Sequence, residues 1–107
     1  MNQPVECYLK PGKHAFLIGI GGVSMSSLAQ TLLEQGILVS GSDRSESKAV
    51  ERLRGLGIRI QIGHDARNIS GADVIIRTAA VHDDNPEVAA ARQQGIPVLE
   101  RAEVWGE

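Results

Sequence analysis

Three glycines lie together where an apolar run gives way to a helical pattern, in the stretch G-I-G-G-V-S. Glycine allows backbone dihedrals that other residues resist and lets the chain approach an anion closely. The first N–H groups of a helix have no intrahelical partner, and the helix dipole adds partial positive charge there. The pattern therefore predicts a phosphate-binding turn that includes Gly19. The N–H groups that would meet a diphosphate are those of Gly21, Gly22, Val23 and Ser24.

The match to the dinucleotide fingerprint is incomplete, because G-x-G-x-x-G requires glycine where Ser24 stands. The hydroxyl of Ser24 or Ser26 could cap the helix or contact the phosphate. The alternative is that the glycines only permit a tight turn and close packing of the helix on the strand. A turn needs one glycine and this stretch has three, which favours the phosphate interpretation.

Polar residues follow two further strand patterns. Asp43 comes 24 residues after Gly19 and could accept hydrogen bonds from ribose hydroxyls. The alternative is that Asp43 or Ser45 caps the next helix, and the residues leave both possibilities open. His64, in G-H-D after the third strand pattern, is by itself interpreted as a surface histidine.

A third polar loop, T-A-A-V-H-D-D-N, follows the fourth strand pattern. Thr78 could bind a ligand through its hydroxyl. The run from His82 to Asp84 invites a metal or acid–base interpretation, but adjacent residues do not share a face. Helix capping by Asp84 or Asn85 ahead of Pro86 is favoured instead.

Strand patterns alternate with helix patterns, which predicts an α/β, Rossmann-like open parallel sheet of about five strands with helices on both faces. Right-handed crossovers favour the order 3-2-1-4-5, which places the first and third loops on either side of one crevice. The first strand, apolar throughout, is predicted to be central and the alternating third strand to lie at an edge. The predicted strands are His14–Gly19, Leu38–Ser40, Ile58–Ile62, Asp73–Arg77 and Pro97–Leu99. The predicted helices are Ser24–Gln35, Glu46–Leu56 with Ser45 as N-cap, Pro86–Gln94, and one that starts at Arg101.

We expect one domain over residues 14–107, preceded by a lead-in over 1–13 with a short edge strand around Glu6 to Leu9. The 107 residues are 42% apolar and 3% aromatic, so the core must be aliphatic. The net charge of -2 and the absence of a basic run argue against nucleic acid or a membrane surface as partner. The one cysteine, Cys7, has no second thiol, which fits a reducing, cytoplasmic setting. The sequence contains no ATP P-loop, zinc motif, nucleophile elbow or run of 18 apolar residues.

Five stretches in this order resemble the N-terminal, UDP-binding domain of the Mur ligase family, whose members build the peptide of bacterial peptidoglycan. They are H-A-F-L-I-G-I-G-G-V-S-M-S-S-L-A, V-S-G-S-D, G-H-D, T-A-A-V-H-D-D-N-P-E and G-I-P-V-L-E-R-A-E. The resemblance extends over nearly the whole chain from His14. D-D-N-P-E is more similar to the muramate–alanine branch than to the murein tripeptide branch. The usual family loop is G-I-G-G-x-G-M-S, so Ser24 replaces its third glycine.

The resemblance implies a ligase of three domains, of which this chain matches the first. That domain would hold the UDP part of UDP-N-acetylmuramate, while the missing central and C-terminal domains would use ATP and Mg²⁺. The chain alone is then expected to have no catalytic residue, no metal, no cofactor and no activity. The implied contacts, besides the glycine loop with the diphosphate, are Ser42 and Asp43 with the uridine, His64 near the nucleotide, and Thr78, Ala79 and Ala80 along the crevice. A stand-alone NAD-binding module and an interaction domain without a ligand are the alternatives.

Overall fold

A computed structural model describes residues 9–105 of the chain. Five parallel strands form one sheet in the order β3-β2-β1-β4-β5, which confirms the predicted topology. The strands are β1 (His14–Ile18), β2 (Leu38–Asp43), β3 (Arg59–Ile62), β4 (Val74–Arg77) and β5 (Val98–Glu100). The helices are α1 (Val23–Glu34), α2 (Lys48–Gly55), α3 (Pro86–Gln93) and α4 (Arg101–Trp105), and a 3-10 turn spans Ala66–Ile69.

The central strand β1 is buried on both faces, as its continuous apolar character predicts. Its side chains alternate between two clusters because successive residues of a strand point to opposite faces. Ala15 and Leu17 belong to the cluster that α1 and α2 cover. Phe16 and Ile18 belong to the cluster that α3 and the 3-10 turn cover. The sheet is therefore a middle layer between two helical layers.

Helical spacing predicts two buried faces, Met25, Leu28, Ala29, Leu32 and Leu33 in α1 and Ala49, Val50, Leu53 and Leu56 in α2. In α1 the first four of these are buried, together with Ser26, and Leu33 is half-buried. In α2, Val50 and Leu53 are fully buried and Ala49 is half-buried, but Leu56 is 44% exposed. Leu56 is the C-cap, one residue beyond the end of the helix at Gly55.

Strand β2 continues to Asp43, and the prediction that it ends at Ser40 is wrong. The ladder is maintained on both sides, since Ser42 pairs with β1 and Asp43 pairs with β3. Helix α2 starts correspondingly later. Its N-cap is Ser47, whose hydroxyl accepts a hydrogen bond from the Val50 N–H at 3.2 Å, and not Ser45.

Between β3 and β4 the polar run from Gly63 to Gly71 predicts a connection with one helical turn, and the 3-10 turn confirms it. Asp65 caps it by accepting a hydrogen bond from the Arg67 N–H at 2.9 Å, and the Arg67 guanidinium contacts the same carboxylate. The side-chain hydrogen bond from Arg67 lowers the pKa of Asp65. The 3-10 turn packs against α3.

The edge strand predicted around Glu6 to Leu9 and the residue Cys7 lie outside the described residues, except Leu9, which packs against the core. Over residues 9–105, no helix has the length and apolar character to cross a bilayer.

Candidate functional site

A crevice of about 700 Å³ opens at the carboxyl ends of β1, β2 and β4. This is the point where the strand order reverses, and open parallel sheets bind ligands there. The structure brings seven of the predicted site residues to the crevice: Gly19, Gly21, Gly22, Asp43, His64, Thr78 and Ala80. The three loops that the sequence singled out therefore do converge.

The glycine loop is fixed to the end of β2 by its own backbone. The N–H groups of Gly19 and Ile20 both donate to the Ser42 carbonyl, at 2.8 and 3.0 Å. Gly19 has a φ of 75°, a dihedral that favours glycine and that turns the chain from β1 towards α1. Helix α1 then begins at Val23 with Gly22 as its N-cap, and no side chain caps it.

The Asp43 carboxylate accepts a hydrogen bond from one of the N–H groups that were predicted to bind phosphate. Its Oδ2 accepts a hydrogen bond from the Gly21 N–H at 2.8 Å, and its Oδ1 accepts one from the Arg44 N–H at 2.8 Å. A Cβ atom added to Gly21 would lie 2.8 Å from the same Oδ2 and 2.9 Å from Val50 Cγ2. Only glycine therefore fits at this position without a shift of its neighbours. Asp43 does not cap α2.

The N–H groups at the start of α1 differ in whether the protein supplies a hydrogen-bond acceptor for them. Those of Gly21 and Gly22 have protein acceptors, the latter being the Gly19 carbonyl at 3.0 Å. Those of Val23, Ser24 and Met25 have no acceptor within residues 9–105. The open donors for an anion are thus the three at the first turn of the helix itself.

The hydroxyls of α1 do not act as caps. Ser26 is buried, and its hydroxyl donates to the Val23 carbonyl at 3.1 Å, so the predicted contact of Ser26 with a phosphate is wrong. Ser24 is half-buried and makes no capping bond. The Val23 side chain, in contrast, is 90% exposed.

Ser42 lies beneath the crevice and does not line it. It is fully buried, and its hydroxyl donates to Glu87 Oε1 at 2.8 Å and lies 3.0 Å from His64 Nδ1. His64 is half-buried and lines the crevice. The side chain of Ser42 is therefore directed to other residues of the protein.

Glu87 is the residue that sequence reasoning missed. It lies in the first turn of α3 with none of its surface exposed, and it also contacts His64 Nδ1 at 2.9 Å and Asn68 Nδ2 at 2.8 Å. An acidic residue in the first turn of a helix is ordinarily explained by the helix dipole. The sequence around Glu87 gives no local sign that the carboxylate is buried.

The loop between β4 and α3 forms the opposite wall. Thr78 and Ala80 line the crevice, whereas Ala79 is exposed without lining it. Asn85 caps α3 by accepting a hydrogen bond from the Glu87 N–H at 2.8 Å, which confirms the capping interpretation for this residue.

An exposed ion pair supports this loop. The guanidinium of Arg77 donates to Asp83 Oδ1 at 2.6 Å and to the Val81 carbonyl at 3.1 Å, and Arg92 lies 3.5 Å from the same carboxylate oxygen. The hydrogen bond from Arg77 lowers the pKa of Asp83. In the part of the chain that the structure describes, no three His, Cys, Asp or Glu side chains converge as metal ligands, so the run from His82 to Asp84 does not form such a group.

The sheet order, the glycine loop and the crevice at the reversal of strand order define a Rossmann-like domain. Comparison with known families is more specific. The model of the "Mur ligase family, catalytic domain" matches residues 14–107, and the chain belongs to the Mur ligase family.

Relatives within this family share the fold and much of the sequence. The UDP-N-acetylmuramate–L-alanine ligase of Desulfosudis oleivorans is 53% identical over 100 residues, which are 94% of this chain and 22% of that protein. The crystal structure of the UDP-N-acetylmuramate–alanine ligase of Thermotoga maritima has a TM-score of 0.82 and 40% identity, over 87% of this chain and 21% of that one. The UDP-N-acetylmuramate:L-alanyl-gamma-D-glutamyl-meso-diaminopimelate ligase of Neisseria meningitides has a TM-score of 0.77 and 33% identity, over 83% of this chain and 28% of that one. The chain spans about a fifth of the length of the curated relatives it matches.

Proposed function

We propose that this chain is the N-terminal domain of a UDP-N-acetylmuramate–L-alanine ligase and that its crevice binds the UDP part of UDP-N-acetylmuramate. The observation that carries the proposal is the set of open N–H groups at the first turn of α1, which include those of Val23 and Ser24 and directly follow the glycine loop that lines the crevice. Such a helix start stabilises a diphosphate through its backbone donors and its dipole. The high identity to muramate–alanine ligases favours this branch over the tripeptide ligases.

The residues along the crevice suggest how the ligand lies. The diphosphate would rest on the glycine loop, with Gly19, Gly21 and Gly22 leaving room for it and Val23 and Ser24 donating to it. Asp43 would accept hydrogen bonds from the ribose, because a carboxylate offers more acceptor sites than the two backbone N–H groups use.

The other contacts complete the proposal. His64 would meet the nucleoside, and Thr78, Ala79 and Ala80 would form the wall opposite the glycine loop. A contact of Ser42 with the uridine stays a prediction. In the structure the Ser42 hydroxyl is bound to Glu87, so its influence on a ligand would pass through that network.

The whole ligase would join the muramate carboxyl to the amine of alanine, at the expense of ATP and with Mg²⁺, in the cytoplasm. The central and C-terminal domains of the relatives would hold that chemistry. Residues 9–105 offer no cluster of metal ligands and the sequence has no ATP P-loop, so no chemical step is assigned to this chain. We expect the chain alone to bind the UDP-sugar and to form no amide bond.

A titration of the ¹⁵N-labelled chain tests the proposal, with UDP-N-acetylmuramate, UDP and NAD as separate ligands. We expect amide shifts at Val23, Ser24, Asp43 and Thr78 with both UDP ligands and none with NAD. Shifts with NAD alone would favour the stand-alone NAD-binding module, and no shift with any of the three would contradict nucleotide binding. Ligase turnover by the isolated chain would contradict its assignment as a domain without catalytic activity.

A pair of aspartate variants makes the test specific. Asp43→Asn removes the charge that faces the crevice, and we expect it to weaken UDP binding by about tenfold to a hundredfold, since a hydrogen bond to a charged group contributes about 1.5–3 kcal/mol. Asp73→Asn is the matched control. Asp73 also accepts a backbone hydrogen bond, from the His14 N–H at 2.8 Å, but it lies at the opposite end of the sheet. Equal losses in the two variants would contradict the assignment of Asp43.

A further inference from the structure

Glu87 joins several elements beneath the crevice. Oε1 accepts a hydrogen bond from the Ser42 hydroxyl at 2.8 Å and lies 2.9 Å from His64 Nδ1. Oε2 accepts from Asn68 Nδ2 at 2.8 Å and from the Asp65 N–H at 3.4 Å. Because the three neighbours other than His64 all donate, an ionised carboxylate satisfies them. The first turn of α3, where Glu87 lies, also favours a negative charge.

This arrangement determines which nitrogen of His64 carries the hydrogen. An ionised carboxylate oxygen cannot donate, so His64 Nδ1 must donate to Glu87. In the neutral imidazole, Nε2 is then an acceptor. Nε2 has no partner among residues 9–105, and it lies on the ring edge opposite Nδ1. Because His64 lines the crevice, Nε2 is the nitrogen available to a ligand.

We infer that Glu87 is a positioning residue, which fixes the tautomer and orientation of His64 so that Nε2 accepts a hydrogen bond from a nucleoside. The donor on the ligand would be a ribose hydroxyl or an imide N–H, not a phosphate oxygen, which offers no hydrogen. The identity of the ligand rests on the proposed function. The tautomer of His64 is a property of the ligand-free chain and can be measured without it.

The variant Glu87→Gln should reverse the tautomer, because the two sides of the carboxylate differ in their freedom to adjust. Asp65 presents a backbone N–H, and the Asn68 amide is held by a second bond to a backbone carbonyl at 3.1 Å, so both must remain donors. The Ser42 hydroxyl can rotate, and the His64 ring can carry its hydrogen on either nitrogen. The glutamine carbonyl will therefore face Asp65 and Asn68, and its NH₂ group will donate towards Ser42 and His64. His64 then accepts at Nδ1 and carries the hydrogen on Nε2.

Imidazole ¹⁵N spectra of the ligand-free chain test this, at about pH 8, above the ordinary histidine pKa of about 6.5. The chain has three histidines, and His14 is an internal control. Its Nδ1 faces the Gly71 carbonyl at 3.0 Å and its Nε2 faces the Ser40 hydroxyl at 2.6 Å, contacts in which Glu87 takes no part. We expect His14 to keep its hydrogen on Nδ1 throughout. We expect His64 to carry it on Nδ1 in the unaltered chain and on Nε2 in Glu87→Gln. Hydrogen on Nε2 of His64 in the unaltered chain, or no change in the variant, would overturn the inference.

Loss of the His14 signal would reveal that Glu87→Gln does not fold. A second variant keeps the test decisive in that case. Ser42→Ala removes the other partner of Oε1 and leaves the contact between His64 and Glu87. We expect the hydrogen to stay on His64 Nδ1. Its appearance on Nε2 in Ser42→Ala would show that the carboxylate does not determine the tautomer.

Measuring the affinity for UDP tests whether the tautomer of His64 affects ligand binding. Glu87→Gln turns the Nε2 acceptor into a donor, and we expect UDP binding to weaken about tenfold, as for one lost hydrogen bond. Glu51→Gln, an exposed residue of α2, is the control and should bind UDP as the unaltered chain does. If the unaltered chain and Glu87→Gln bind UDP equally, the inference fails and the proposed function stands. If the unaltered chain does not bind UDP, the proposed function fails, and the spectra alone decide the role of Glu87.

Discussion

Two carboxylates support the two walls of the crevice, and they do so in opposite ways. Glu87 has no exposed surface and accepts hydrogen bonds from four donors beneath the wall that Asp43 and His64 form. Asp83 has 71% of its side chain exposed and pairs with Arg77 and Arg92 beside the loop between β4 and α3. The first wall is part of the interior, and the second rests on a surface ion pair.

This difference in burial indicates which wall is preorganised. Water and salt screen exposed ion pairs, so these contribute little to stability and weaken at high ionic strength. A buried carboxylate surrounded by donors cannot be hydrated in place, and loss of any partner leaves a polar group without a bond. We therefore expect the wall of Asp43 and His64 to keep its shape without a ligand and the loop wall to be adjustable.

The largest effect expected is that of Glu87→Ala, which removes a buried acceptor shared by four neighbours, among them the fully buried Ser42 hydroxyl. We expect the free energy of unfolding to fall by about 3 kcal/mol, as when one partner of a buried charged network is removed. The shift of the urea midpoint at unchanged m-value measures it. The control is Glu51→Ala on the exposed first turn of α2, which should stay within about 0.5 kcal/mol. A loss in Glu87→Ala no larger than that of the control would remove the distinction between the two walls.

The next effect concerns the close approach at Gly21. In Gly21→Ala the new methyl group would lie 2.8 Å from Asp43 Oδ2 and 2.9 Å from Val50 Cγ2, so the loop or the carboxylate must move. We expect a loss of about 1–3 kcal/mol, as for overpacking elsewhere, measured by the same denaturation. Gly22→Ala is the matched control, because the nearest atom to its added methyl would be the Gly19 carbonyl oxygen at 3.4 Å. A Gly21→Ala variant as stable as Gly22→Ala would show that the wall of Asp43 and His64 adjusts as readily as the wall formed by the loop between β4 and α3.

The smallest effect is expected at Asp83, and it should depend on pH and salt. The hydrogen bond from Arg77 lowers the pKa of Asp83 in the folded chain below the ordinary value of about 3.9. The ion pair therefore stabilises the fold fully above that ordinary value, and the contribution disappears as the pH falls through the lowered folded pKa.

Thermal unfolding of Asp83→Asn and of the unaltered chain measures this contribution. The difference in Tm between them should shrink as the pH falls through the acidic range, and it should also shrink in about 1 M salt, where the Debye length is about 3 Å. A difference that is the same at every pH and salt concentration would indicate that Asp83 acts by packing and not by charge.

Much of the fold followed from local patterns in the chain. The alternation of strands and helices predicted the order 3-2-1-4-5, and the unbroken apolar run of β1 predicted burial on both faces. Asn85 beside Pro86 predicted the start of α3. Each of these depends on neighbours close in sequence or on the handedness of crossovers, which every such chain shares. The placement of Gly21, Asp43 and Thr78 around one crevice followed from the same topology, whereas the place of His64 there was implied only by the family resemblance.

The rest was decided only by tertiary contacts. Strand β2 reaches Asp43 because ladders on both sides continue, and Leu56, the C-cap of α2, stays 44% exposed because no part of the core covers it. Above all, Glu87 has the local sequence of an ordinary helix start. Its role comes from Ser42, 45 residues away, and from His64, 23 residues away. Local patterns were sufficient to predict the sheet, its order and the loops that meet at the crevice. Which polar groups satisfy one another beneath it depended on packing, because hydrogen bonds between distant residues leave no periodic pattern in the chain.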